Sequence, residues 1–263
     1  MELRLLSLVP DAPLPQRAPA STRPAVPPGY GVQEHCLPFT AACALGLLVP
    51  APFDFGLCLP AELPAGVQGF RAPGPRNAPI EDKRLFYVRD RPSSRFHAKA
   101  YGFDPLPFDD ERGERAELRP VQPGLSFFKR PDQAGLFKLH LPWLLRTPDG
   151  IDSLYSPPLN RPAPLELLSG LIESDWYAHP VNLVVRRPTT GALHISAGQI
   201  IAQVLFVARD SRRAEAPALP ADSVTAQTLR NDLLRWFIAH RQDRSAYRRL
   251  ARSKQGRLDV AKD

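Results

Sequence analysis

Between Arg84 and Val207 the hydrophobic positions fall into short runs broken by Pro, Gly and Asp. Leu85–Val88, Phe96–Tyr101, Leu125–Phe128, Leu136–Leu139, Ile151–Tyr155, Leu171–Ile172, Val181–Arg186, Leu193–Ile195 and Ile200–Val207 read as strands. Turn signals at the spacing of small all-β domains predict a barrel or sandwich. No helical pattern separates the runs, which excludes an alternating β/α fold. Pro142, Pro148, Pro157, Pro158, Pro162 and Pro164 belong in loops or at strand ends, because proline cannot donate to a ladder.

The flanks read differently. Met1 to Val9 is a short apolar strand, and the prolines at 10, 13, 15, 19, 24, 27 and 28 make the next stretch an extended connector. Gln33 to Leu48 carries Cys36, Leu37, Phe39, Cys43, Leu45, Leu47 and Leu48, and predicts a short buried helix with Pro38 in its first turn. A second Pro/Gly-rich passage runs from Pro60 to Pro79. Near the carboxyl end Asp222 or Ser223 can cap a helix. Beyond it Leu229, Leu233, Trp236, Phe237, His240, Tyr247 and Leu250 recur at three- and four-residue steps. That face is expected to pack, with Arg230, Arg235, Arg241, Arg244, Arg248, Arg249 and Arg252 turned to water. The expected organisation is a Pro-rich irregular region with one short helix (1–79), a mainly-β barrel core (80–208) and a basic helical segment (209–263).

Composition narrows the function. The 31 prolines in 263 residues are about 12%, against a usual ~5%, yet 43% apolar and 23% charged residues support a folded core. Three cysteines are too few for a disulfide scaffold and point to a reducing, cytoplasmic compartment. No apolar run approaches the ~18 residues of a membrane span and no signal-type lead is read, so no membrane partner is expected. The net charge is +7, but residues 223–263 hold ten Lys/Arg and four Asp/Glu, while the first 222 hold 24 and 23. The body is near neutral and the tail is basic.

Two motifs occur in order: Gly170-Leu171-Ile172-Glu173-Ser174-Asp175-Trp176-Tyr177, then Gly198-Gln199-Ile200-Ile201-Ala202-Gln203-Val204-Leu205. They resemble the dUTPase family, and the resemblance implies a β-clip type of barrel. Gly170 is expected to permit a turn closed to other residues, with the following acids facing a pocket. Glu173 stands where that family has Asp. The region matching its phosphate motif, Tyr155 to Pro162, has Pro157 and Pro158 in place of backbone donors. Where the family carries a glycine-rich arm, this chain has the basic segment. Nucleotide pyrophosphatase or deaminase-like chemistry is therefore the residual reading. A wider pattern is similar to an uncharacterised bacterial domain family. It comprises Cys36-Leu37-Pro38, Leu144-Leu145-Arg146-Thr147-Pro148, the Ser156 to Pro162 loop and Glu173-Ser174-Asp175-Trp176. It implies a shared fold without an established activity. β-Clip proteins that this chain resembles often form trimers, which implies a homo-oligomer.

Glu173 and Asp175 are the candidate catalytic pair, one acting as general base with its pKa raised beside a buried Trp176. The alternative is that a carboxylate accepts turn amides or pairs with Arg161 or Arg146. Asn160 and Arg161 lie in a proline-locked loop suited to binding an anionic group. Trp176 and Tyr177 complete the expected pocket. His97, His140, His179 and His194 have no metal-ligand spacing, so no metal is assigned, and the cofactor is left unknown. Cys36 beside His35 reads as a buried thiol, since adjacent side chains diverge. No serine-hydrolase, phosphate-loop or dinucleotide signature is present. The first functional reading is a small-molecule-binding biosynthetic or modifying enzyme acting on a polar or anionic substrate. The second is a non-catalytic interaction protein working through the basic tail. Nucleic acid is not the expected partner, because no reader motif accompanies the arginines.

Overall fold

The computed structural model describes residues 2–7, 12–17, 37–72, 83–89, 107–109, 115–117, 124–128, 130–243, 246–247 and 249–250. Of these, 36% are strand and 22% helix, so the protein is mainly β. It divides into two compact units, Met1–Ser211 and Arg212–Asp263.

In the first unit, β1 (Arg4–Ser7) and β2 (Gln16–Arg17) precede α1 (Leu37–Cys43), β3 (Leu47–Pro50) and β4 (Asp54–Cys58). Then come β5 (Leu85–Arg89), the β6–β7 hairpin (Pro107–Asp109, Arg115–Glu117), β8 (Gly124–Phe127), β9 (Leu136–His140) and β10 (Trp143–Arg146). The last six strands are β11 (Ile151–Ser156), β12 (Glu166–Leu168), β13 (Gly170–Ile172), β14 (Asn182–Arg186), β15 (Leu193–Ile195) and β16 (Ile200–Ala208). All pairings are antiparallel. The largest sheet has the order β13-β11-β16-β3-β2, the next β12-β14-β9-β8, the third β15-β4-β5, and β1 pairs with β10.

Eight of the nine strands read from the sequence are present, with ends shifted by a residue or two. The ninth, Phe96–Tyr101, lies outside the described residues, as do His97 and the Cys36–His35 pair. The sheets do not close into the expected barrel among the described residues. β13 and β2 each have one partner, and the strands, all of two to six residues except β16, supply no further ladder to join the edges. The helix expected over Gln33–Leu48 is shorter, because Gly46 takes φ +63° and turns the chain into β3. A Cβ at Gly46 would strike the Val204 carbonyl, so the close approach of β3 to β16 requires glycine there. β3 and β4 come from the stretch expected to be irregular, yet both sit within sheets and both are largely buried.

The core follows strand alternation. Phe137 and Leu139 of β9 and Leu183 and Val185 of β14 point inward while their neighbours do not. β16, central in its sheet, is buried on both faces from Ile201 to Val204. Phe86 of β5 sits between Phe127 and Phe137 at 4.9 and 5.4 Å, edge-to-face, which packs the third sheet against the second. Fully burying each such ring is worth roughly 1.5–3 kcal/mol.

The second unit holds α2 (Val224–Gln242), and residues 246, 247, 249 and 250 are again helical. Ser223 is the cap, its Oγ accepting from the Ala226 amide at 3.2 Å. Trp236 stacks on His240 and meets Tyr247 edge-on. The expectation of a packed apolar face is corrected: no residue of α2 is buried, and Leu229, Leu233, Leu234, Phe237 and Ile238 are each more than half exposed. No helix among the described residues is long and apolar enough to cross a membrane.

Candidate functional site

The two expected catalytic acids share one turn and do different things. Following β13, the Trp176 and Tyr177 amides donate to the Glu173 carbonyl, which folds residues 173–177 into a turn. This carries Asp175 inward, where it is 8% exposed. Its Oδ2 accepts from the Gly150 amide at 2.9 Å, and its Oδ1 accepts from Arg209 Nη2 at 2.5 Å. The same nitrogen reaches Asp152 Oδ1 at 2.8 Å. Asp152 is fully buried on β11, and Arg209 follows the end of β16. The Arg209 hydrogen bond, aided by the Gly150 amide, holds the Asp175 carboxyl below its usual range. Its partner is therefore Arg209, not the expected Arg161 or Arg146.

Ser174 completes this closed polar cluster. Thr147 Oγ1 donates to the Ile151 carbonyl at 2.6 Å, so Ser174 donates to Thr147 at 3.0 Å and Ser153 donates to Ser174 at 2.6 Å. Loop, turn and strand are joined by a filled network, which is structural work.

Glu173 and Trp176 take up positions nearer solvent. Trp176 is 60% exposed, which corrects the expected burial, and its Nε1 donates to Glu173 Oε2 at 2.7 Å. Tyr177 turns away to a shallow groove of about 240 Å³ beside β1 and β10, lined also by Arg4, Leu6 and Arg146. Gly170, expected in a special turn conformation, is an ordinary strand residue, whereas Gly198 does turn the chain, at φ +83°.

Asn160 and Arg161 belong to the loop between β11 and β12. Asn160 adopts φ +54°, a conformation that asparagine tolerates, and donates to the Phe39 carbonyl of α1 at 3.2 Å. Gln203 fixes the same loop from beneath. It is fully buried on β16, accepts from the Leu159 amide at 2.9 Å, and donates to the carbonyls of Leu45 at 2.6 Å and Ala42 at 3.3 Å. Arg161 is left with its Nε and Nη2 buried and without a hydrogen-bond partner among the described residues. It pairs with neither Glu173 nor Asp175. Among the described residues no hydrogen bond or ion pair joins Asn160 and Arg161 to the turn that carries Glu173, Asp175, Trp176 and Tyr177.

The histidines are satisfied one by one. His140 pairs with Ser126, His194 with Tyr87, and His179 with the Pro180 carbonyl. Burial, then Lys138 and His179, lower the His140 pKa. Cys43 and Cys58 are buried free thiols. Among the described residues no three His, Cys, Asp or Glu side chains gather as metal ligands. Sequence reasoning missed Arg209 and Asp152. The signal for them was an acid inside the apolar run of β11 and an arginine closing that of β16. No protein-family model matches the chain, and no curated protein matches it.

Proposed function

We propose that the protein binds a small anionic molecule, with Arg161 taking the anionic group. The observation that carries this reading is the pair of buried nitrogens on one guanidinium that find no partner among the described residues. Arg161 is half-buried, and each of its buried nitrogens left without an acceptor costs on the order of 1–3 kcal/mol. Nε and Nη2 together form the side-on fork that a carboxylate or phosphate accepts from bidentately. The prolines at 157, 158, 162 and 164 and the Gln203 anchor hold that fork before any ligand arrives. As a biosynthetic or modifying enzyme, the protein would use Glu173 to move a proton, since Asp175 is held ionised by Arg209. The scaffold we propose is of β-clip type, supported by the Gly198 turn into β16 and by β13 lying beside β11.

Thermal melts in succinate or inorganic phosphate test the reading. The wild-type protein is expected to be stabilised saturably by one of these anions, by about 2.7 kcal/mol at a hundredfold excess over Kd. Arg161→Met is expected to melt at or above the wild-type temperature without anion and to ignore both. An unresponsive wild type, or a variant that still responds, removes the proposal.

A second reading, interaction through the basic tail, is favoured by the six large exposed apolar side chains of α2, Val224 among them. A native mass spectrum of the purified full-length protein separates the two. A small bound mass lost in Arg161→Met supports the first. A bound acidic protein lost in Phe237→Glu supports the second.

A further inference from the structure

A second site lies where β11 and β13 meet. Tyr155 and Gly170 are direct partners in the antiparallel register, so they share one face of the sheet. Gly170 places no side chain beside the tyrosine ring, and a Cβ built there would meet nothing within 4 Å. The space left is a cavity of about 270 Å³ lined by Tyr155, Leu168, Gly170, Ile172, Asn182 and Val184. No charged side chain lines it.

Two residues of this lining each carry a buried polar atom without a partner among the described residues. Tyr155 is 2% exposed and its hydroxyl has no hydrogen-bond partner among the described residues; Asn182 Oδ1 is buried and equally unpartnered among them. Native interiors pair nearly all such groups, and each one left unpaired costs about 1–3 kcal/mol. Two of them on one cavity, with aliphatic walls between, define a recognition pattern. Asn182 Oδ1 only accepts, so the missing group must donate. The Tyr155 hydroxyl donates or accepts, so it serves a second polar atom of either kind. An anion would give up its hydration here with no cation to replace it.

We propose that this cavity binds a small neutral molecule with an amide or alcohol group on an apolar body. The amide N–H or hydroxyl would donate to Asn182, its oxygen would pair with Tyr155, and the body would lie against Leu168, Ile172 and Val184. The site is independent of Arg161 and stands whether or not Arg161 binds an anion.

Ligand-observed NMR titration of the full-length protein with benzamide, benzyl alcohol and benzoate tests it. At least one neutral probe is expected to bind saturably, with benzoate at least about tenfold weaker. Tyr155→Phe is expected to weaken the neutral probe by about tenfold, the value of one neutral hydrogen bond. Gly170→Leu fills the cavity and is expected to abolish binding while the protein still melts cooperatively. Arg161→Met is expected to leave these titrations unchanged. Failure of both neutral probes (a cavity holding water only), equal binding of benzoate, or indifference to Gly170→Leu overturns the proposal.

Discussion

Arg209 Nη2 donates to Asp175 at 2.5 Å and to Asp152 at 2.8 Å, and its Nε adds a second bond to Asp152 at 3.2 Å, so one cation answers two buried carboxylates on different elements. It ties the end of β16 to β11 and to the turn after β13. Because Asp152 is fully buried, it has no water to fall back on. Arg209→Met is therefore expected to be among the most destabilising single changes at this end of the sheet. Urea unfolding should show a much lower midpoint with an unchanged slope.

The same pair sets an acid limit. The Asp175 pKa is depressed in the folded state, so between that value and the unfolded ~3.9 the unfolded chain binds more protons. The stabilisation is fully present above about pH 4 and is lost as the pH falls through the folded value. Urea midpoints between pH 2 and 6 should show this slope in the wild type and a flatter one in Asp175→Asn.

Gln203 supports a third prediction. Gln203→Leu leaves the Leu159 amide and the Leu45 carbonyl without their partner, at a cost of about 2–4 kcal/mol. Hydrogen exchange at Leu159 should accelerate, and any anion response at Arg161 should weaken with it.

Glu173→Gln is expected to be nearly silent in stability, by less than about 1 kcal/mol, since a glutamine oxygen still accepts from Trp176 at this exposed position. A melting curve therefore cannot assign its role. Loss of turnover in this variant, with the fold intact, is the result that would mark Glu173 as the proton-transferring group.

Leu233→Glu and Phe237→Glu on α2 are each expected to change stability by no more than about 0.5 kcal/mol, because neither side chain is buried. Ser223→Ala, by contrast, removes the cap and should cost about 1 kcal/mol of helix stability, read by circular dichroism.

Strand alternation, proline placement and the Ser223 cap were legible in the chain because they are local: each depends on a residue and its near neighbours. Leu193–Ile195 and Leu136–His140 emerge from their own apolar periodicity, and Gly198 from its place before a buried run. The turn holding Glu173 and Asp175 was legible too, but not what each acid meets. Arg209 lies 34 residues from Asp175 and 57 from Asp152 in sequence, and no local pattern announces an ion pair at that separation. Only the register of β11 against β16 and β13 decided that Asp175 is held by Arg209 and that Tyr155 faces a glycine. Periodicity determines which side of a strand is buried; the partner waiting on that side is set by chain segments far away.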